Sequence, residues 1–308
     1  MPKAIITAKS HEILRERLSQ HGYQVDYHPD ITYDDLYRSI EDVDGLVVST
    51  RLPIDRHLLE AAPALRWIGR LGSGMELIDV DFARTRGIQV VSSPEGNCDA
   101  VGEHALGMLL ALMNRLVWSH REVAEGVWKR DPNRGWELNG KTVGVVGFGH
   151  TGSAFAKKLQ GFDVTILAYD KYKAGFARGN IREASLEQVC RYADVLSFHV
   201  PLTEETRHMA DTALFRSLGQ KPYVLNTSRG EVLHTTALVE ALKAGLVAGV
   251  GLDVLENERL DTYSAAENEQ LRWLTSQPNV VVTPHIAGYS HESFYKMSKV
   301  ILEKIGLG

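Results

Sequence analysis

A chain of 308 residues exceeds the roughly 250–300 at which a single hydrophobic core stops growing, so two domains are expected. The 44% hydrophobic and 24% charged content excludes a disordered chain, and a net charge of −5 without a Lys/Arg stripe argues against nucleic-acid or anionic-membrane partners. The two cysteines, Cys98 and Cys190, form neither a CxxC pair nor a disulfide framework.

The opening residues MPKAIITAKSHE lack the apolar core of a signal peptide, and a cytoplasmic protein is expected. From there, short β-rich apolar runs alternate with amphipathic segments, the pattern of α/β layers around a parallel sheet. Strands are expected at Lys3–Thr7, Gly45–Ser49, Arg66–Arg70 and Ile88–Ser92, with helical patterns between them at His11–His21 and Tyr33–Ile40. One long helix is expected from about Ala100 to Gly126. Its centre around Ala105–Met113 is apolar on nearly all sides, far short of the roughly 20 residues that cross a bilayer.

Asn139-Gly140 then turns the chain into strands at Thr142–Val146, Val164–Tyr169, Asp194–His199, Tyr223–Asn226, Val247–Asp253 and Val280–Thr283. Six such strands make a complete dinucleotide-binding domain. The last helical pattern, about Ser293–Ile305, is too little for a domain and is expected to return to the first one. The expected fold class is α/β: two Rossmann-like or flavodoxin-like domains with parallel sheets and a cleft between them. Residues 1–98 with 287–308 would form the substrate domain, and residues 99–286 the nucleotide domain.

The strand ending at Val146 runs directly into Gly147-Phe148-Gly149-His150-Thr151-Gly152, and a helical pattern follows. Gly147 permits a tight turn, Gly149 lets the backbone approach a pyrophosphate, and Gly152 lets helix and strand pack closely. The N–H groups at the helix start face the anion. Alone, such a loop is a weak signal and more often simply a glycine-rich turn. The next strand, however, ends at Asp170, about twenty residues on, where a carboxylate accepts from ribose hydroxyls and repels a 2′-phosphate. NAD is therefore expected over NADP, although Lys171 and Lys173 beside the acid blur the local charge.

Three further strand ends carry chemistry-bearing residues. Arg229 stands in Asn226-Thr227-Ser228-Arg229-Gly230, Glu258 lies five residues past Asp253, and His285 stands in Thr283-Pro284-His285. Ligands in open α/β sheets gather at the carboxyl ends of strands, which could bring the three together. Taken singly, each has a bland reading: a surface ion pair, a solvated loop carboxylate, a hydrogen-bonded turn histidine.

Together with Gly69-Arg70-Leu71-Gly72-Ser73-Gly74, Asn97 to His104 (NCDAVGEH), His199-Val200-Pro201-Leu202-Thr203 and Leu252-Asp253-Val254, these motifs make the chain resemble the D-isomer-specific 2-hydroxyacid dehydrogenases along nearly its whole length. The resemblance implies hydride transfer between NAD(H) and a small 2-hydroxy or 2-keto acid. Arg229, Glu258 and His285 would be the catalytic set. Arg229 offers a planar fork for the substrate carboxylate. His285 suits the acid/base role, and Glu258 would fix its tautomer.

The same resemblance implies cofactor contacts from the glycine loop with His150 and Thr151, from Asp170, His199, Pro201, Thr206 and Thr227, and from Asp253 toward the nicotinamide carboxamide. Ser73 and Gly74 would grip the substrate carboxylate through backbone N–H groups, and Asn97 would sit at the domain crossing. Arg51 is either a substrate contact or an ordinary surface arginine. No metal is expected, since no tight ligand cluster is visible.

One departure bears on the substrate. Family members acting on 3-phosphoglycerate often carry Val-Arg-Ser where this chain has Val48-Ser49-Thr50. Glycerate, glyoxylate, phosphoglycerate and lactate-like acids therefore all stay open. A homodimer built on the nucleotide domain is implied, with Trp118, Trp128 and Trp136 either at the contact or in the core. The alternative function is a non-catalytic NAD-sensing interaction protein on the same fold.

Overall fold

The computed structural model describes residues 1–308, which divide into two compact units, Met1–Asp99 with Gly288–Gly308 and Ala100–Ala287. The first unit runs β1 (Lys3–Ile6), α1 (Glu12–Gln20), β2 (Gln24–Tyr27), α2 (Tyr33–Ser39), β3 (Gly45–Val48), α3 (Arg56–Glu60), β4 (Trp67–Arg70), α4 (Val80–Thr85) and β5 (Gln89–Ser92). Its strands pair in parallel in the order β2-β1-β3-β4-β5. Each short helix starts on a side-chain cap: His11, Thr32, Asp55 and Asp79 accept from the backbone N–H of Ile13, Asp35, Leu58 and Phe82. β2 lies outside the expected strands. It sits at the sheet edge, and its sequence Gln-Val-Asp-Tyr shows no apolar run.

α5 (Pro94–Met113) leaves the first unit and continues into the second, with proline at its first position, where the missing N–H has no intrahelical role. The long helix expected from Ala100 to Gly126 is in fact two. The backbone breaks at Arg115, which takes the left-handed φ of 54°, and α6 (Leu116–Ala124) starts there. The apolar pattern ran across the break because Leu116 and Val117 continue it, yet both face solvent.

The second unit continues with β6 (Thr142–Val146), α7 (His150–Lys158), β7 (Thr165–Tyr169), β8 (Ile181–Glu183), α8 (Leu186–Tyr192), β9 (Val195–Phe198), α9 (Thr212–Ser217), β10 (Tyr223–Asn226), α10 (Thr235–Lys243), β11 (Gly249–Leu252), α11 (Ala265–Ser276) and β12 (Val280–Val282). These strands form one parallel sheet in the order β12-β11-β10-β9-β6-β7-β8. It has seven strands where six were expected. The extra one, β8, is a three-residue edge strand whose Arg182 and Glu183 are exposed, so no apolar run announced it.

Buried side chains cover both faces, Phe155, Val143 and Ile166 in one cluster and Phe198, Phe215 and Leu238 in the other. Each fully buried side chain of this kind contributes roughly 1.5–3 kcal/mol. The chain leaves β6 toward β7 on one side and reaches β9 on the other. The carboxyl end of β6 is therefore the topological switch point, where open α/β sheets bind ligands.

α12 (His291–Lys304) belongs to the first unit. It buries Met297, Ile301 and Leu302 in one cluster with Trp67, Leu71, Leu14 and Leu18. The approach is close: a Cβ on Gly69 would lie 2.6 Å from Ile301 Cγ2.

Candidate active site

The glycine loop follows β6 as a close-packed turn. Gly147 has φ 91°, and a Cβ there would stand 2.5 Å from the carbonyl oxygen of His199. A Cβ on Gly152 would overlap the carbonyl of Gly147, so only glycine lets α7 sit this near the strand. Gly149 caps α7 and has open space around its α-carbon. His150, Thr151 and Gly152 form the first turn of α7, whose N–H groups have no acceptor within the helix. That is the arrangement a pyrophosphate needs.

Asp170, just past β7, reaches back to this loop. Its Oδ2 accepts from Phe148 N–H at 2.8 Å, and its Oδ1 accepts from the N–H groups of Tyr172 and Lys173 at 2.9 and 3.0 Å. Phe148 is covered by Phe176, ring on ring at 4.5 Å.

Two polar atoms at the neighbouring strand ends are buried without a partner in the chain: His199 Nδ1 after β9 and Thr227 Oγ1 after β10. They directly follow the paired residues Phe198 and Asn226. Buried polar groups rarely stay unpartnered unless something else satisfies them, and here both lie at sheet positions that bind cofactors. The other ring nitrogen of His199, Nε2, meets Ser197 Oγ at 2.8 Å, and burial pushes the imidazole pKa down to about 3. Pro201 and Thr206 form a single turn, in which the threonine hydroxyl donates to the proline carbonyl at 2.6 Å. The glycines, the helix start, Asp170 and the two unpartnered atoms together fit a dinucleotide.

His285 and Glu258 are brought together, with His285 Nδ1 2.8 Å from Glu258 Oε2. A carboxylate only accepts, so Nδ1 carries the proton and Nε2 is left to exchange one. The pair is reachable, its side chains being 39% and 45% exposed. His285 itself takes a left-handed φ of 54°, a conformation that costs a non-glycine residue about 1–3 kcal/mol.

What holds that turn is Asp253, which is 1% exposed. Its backbone carbonyl accepts from His285 N–H at 2.7 Å, and its Oδ1 accepts from Thr283 Oγ1 and Ile286 N–H at 2.6 and 2.9 Å. Oδ2 takes Ala287 N–H at 2.7 Å. Having donated to Asp253, the Thr283 hydroxyl accepts from His104 Nε2 at 3.1 Å, which fixes that tautomer.

Arg229 follows β10 in extended backbone, and its Nη1 donates to the Ser228 carbonyl at 2.7 Å. Two residues missed by sequence reasoning hold this neighbourhood. Buried Asn226 donates to the Arg229 carbonyl at 2.8 Å and accepts from Ser228 N–H and Oγ at 3.0 and 2.8 Å. Glu256 accepts from Thr235 N–H at the start of α10 at 2.8 Å and meets His208 at 2.6 Å. A Cβ on Gly230 would overlap the Leu255 carbonyl, so the Arg229 loop packs directly on the segment leading to Glu258. The polar strand end at Asn226 was a visible signal. Glu256 carried none.

In the first unit, Ser73 Oγ donates to Asn97 Oδ1 at 3.4 Å, and Gly74 follows directly in the same loop. Gly72, at φ 125°, lies under the Arg70 guanidinium and donates to Ser93 Oγ at 2.9 Å. Arg51 donates to the Thr7 carbonyl at 3.2 Å, past the end of β1. Trp128 and Trp136 are 79% and 66% exposed, so neither is core; Trp118 is half-buried beneath the Arg121 guanidinium.

Comparison with known proteins bears on this geometry. Residues 106–287 match the family described as D-isomer specific 2-hydroxyacid dehydrogenase, NAD binding domain. A glyoxylate reductase of Thermofilum pendens is 37% identical over 274 residues, covering 87% of this chain and 78% of that protein. A D-3-phosphoglycerate dehydrogenase of Archaeoglobus fulgidus is 32% identical over 305 residues, covering 98% of this chain but 56% of that protein. Among solved structures, D-lactate dehydrogenase from Aquifex aeolicus, complexed with NAD and lactic acid, superposes with a TM-score of 0.85 at 27% identity, covering 99% of this chain and 94% of that one. The chain belongs to the D-isomer specific 2-hydroxyacid dehydrogenase family, and its second unit carries the NAD-binding domain of that family.

Proposed function

We propose that this dehydrogenase interconverts a short, unphosphorylated 2-hydroxy acid and its 2-keto acid, of the glyoxylate and hydroxypyruvate class. The observation that carries the reading is the His285–Glu258 pair, 2.8 Å apart and open to solvent on a turn fixed by a buried carboxylate. The nicotinamide supplies or accepts the hydride. Arg229 holds the substrate carboxylate as a two-pronged donor. His285 Nε2 gives a proton to the carbonyl oxygen during reduction and takes it back during oxidation. Glu258 keeps Nδ1 protonated and the ring oriented, and Asp253 keeps the turn in its strained shape. Ser73, Gly74 and Asn97 are the substrate-binding group of the first unit.

The substrate class is supported by the glyoxylate reductase relative, most of whose length this chain spans, and by Val48-Ser49-Thr50, where phosphoglycerate enzymes often place an arginine. An assay of glyoxylate, hydroxypyruvate, pyruvate and phosphohydroxypyruvate with NADH, followed at the nicotinamide absorbance, tests it. Preference for the phosphorylated acid overturns the class, and turnover of none overturns the reading.

The solvent-facing Leu116, Val117, Val123, Trp128 and Trp136 support a homodimer through the second unit, to be checked by sedimentation. No helix is long and apolar enough to cross a membrane, and both cysteines are free thiols, which supports a reducing cytoplasmic setting.

A further inference from the structure

Asp170 stands where a carboxylate selects the unphosphorylated ribose, yet Lys171 and Lys173 follow it at once. A cation at this place favours a 2′-phosphate, so two free lysines would undo what the acid does. Both ammonium groups are engaged elsewhere. Lys173 Nζ donates to the Phe148 carbonyl at 3.3 Å, and Lys171 Nζ lies 2.5 Å from Glu205 Oε2. Glu205 comes from the loop after β9, whereas Lys171 follows β7, and these two strands flank β6 on opposite sides. The ion pair therefore joins the two loops on either side of the glycine loop.

Its side chains are 50% and 59% exposed, and an ion pair this exposed adds little to stability. The bond raises the Lys171 pKa and lowers that of Glu205, so both ends stay charged. Holding the fold together is thus not what the pair is suited for. Cancelling a charge beside Asp170 is.

We propose that Glu205 is a cofactor-specificity residue, which ties up Lys171 and so preserves the preference of the Asp170 site for NAD over NADP. The proposal rests on Asp170 as the ribose acceptor. With Glu205 in place, the charges of Asp170, Lys171, Lys173 and Glu205 cancel, so no net positive charge draws in a 2′-phosphate. Without it, a lysine on a flexible stem is free to meet the phosphate.

The test needs neither nicotinamide nor turnover. Calorimetric titrations with 5′-ADP and 2′,5′-ADP are run on the wild type, Glu205→Gln, Glu205→Gln/Lys171→Met and Asp170→Asn. In Glu205→Gln, 2′,5′-ADP affinity rises roughly tenfold at low salt while that of 5′-ADP stays within about twofold, and the gain shrinks at high salt. The double variant returns to the wild-type ratio, and Asp170→Asn loses 5′-ADP affinity. A wild type that binds both nucleotides equally removes the Asp170 reading. A wild type that prefers 5′-ADP, with an unchanged ratio in Glu205→Gln, leaves Asp170 standing and overturns the role of Glu205. A double variant that keeps the gain overturns it too, because the carboxylate would then act by repulsion and not through Lys171.

Discussion

Replacing Glu258 by glutamine keeps the shape of the side chain but removes the charge that receives the Nδ1 proton of His285 across 2.8 Å. A hydrogen bond to a charged partner contributes about 1.5–3 kcal/mol, and the partial exposure of this pair puts it in the lower half of that range. At about 1.4 kcal/mol per tenfold in rate, kcat/KM for the keto acid is expected to fall roughly 10- to 50-fold. NADH affinity, measured by fluorescence titration, should change less than about twofold. A cycle sharpens the claim: in a His285→Ala background, already slowed by roughly 10²-fold or more, the same Glu258→Gln change should have almost no further effect. Steady-state NADH oxidation by the four proteins decides it. If Glu258→Gln alone is within twofold of wild type, or if the double variant drops another tenfold below His285→Ala, Glu258 does not act through the imidazole.

Arg229→Lys retains charge but loses the planar fork, so kcat/KM should fall tenfold or more with unchanged NADH binding; near-wild-type turnover removes Arg229 as the anchor. His199 is buried with its pKa depressed to about 3, so below pH 6.5 the unfolded chain takes up a proton that the native protein refuses. Native stability should therefore fall by roughly 1.4 kcal/mol per pH unit from this group, about 2 kcal/mol by pH 5. Urea melts of wild type and His199→Asn should diverge in slope between pH 7 and 5, and parallel slopes refute the assignment. Gly230→Ala forces a methyl onto the Leu255 carbonyl and should disable catalysis while leaving 5′-ADP affinity, set by the glycine loop after β6, within about twofold.

The parts of the fold and site that were legible in the sequence are those written locally. A strand, three glycines and a helix start are contiguous, so Gly147, Gly149 and Gly152 announced the switch point before any packing was known. The central strands declared themselves as apolar runs, because burial on both faces demands it. β2 and β8 did not, being edge strands with polar residues. The end of α5 stayed hidden because apolar residues continue past Arg115, and only a left-handed backbone angle marks the break. Arg229, Glu258 and His285 stood out in the sequence only as strand-end candidates, whereas the buried grip of Asp253 on the His285 turn joins residues some thirty apart and leaves no local trace. The Lys171–Glu205 pair is of the same kind: the lysines were visible, and their partners were not.

The return of α12 to the first unit sets an order of events during synthesis. Trp67, Leu71, Leu14 and Leu18 emerge early, but Met297, Ile301 and Leu302, which complete their cluster, are translated only after the whole of Ala100–Ala287. The continuous second unit can consolidate on the ribosome as soon as its own residues are out. The first must wait with one sheet face covered only in part, by α1, so chaperone dependence and early proteolytic cleavage should concentrate on nascent chains that stop short of Met297.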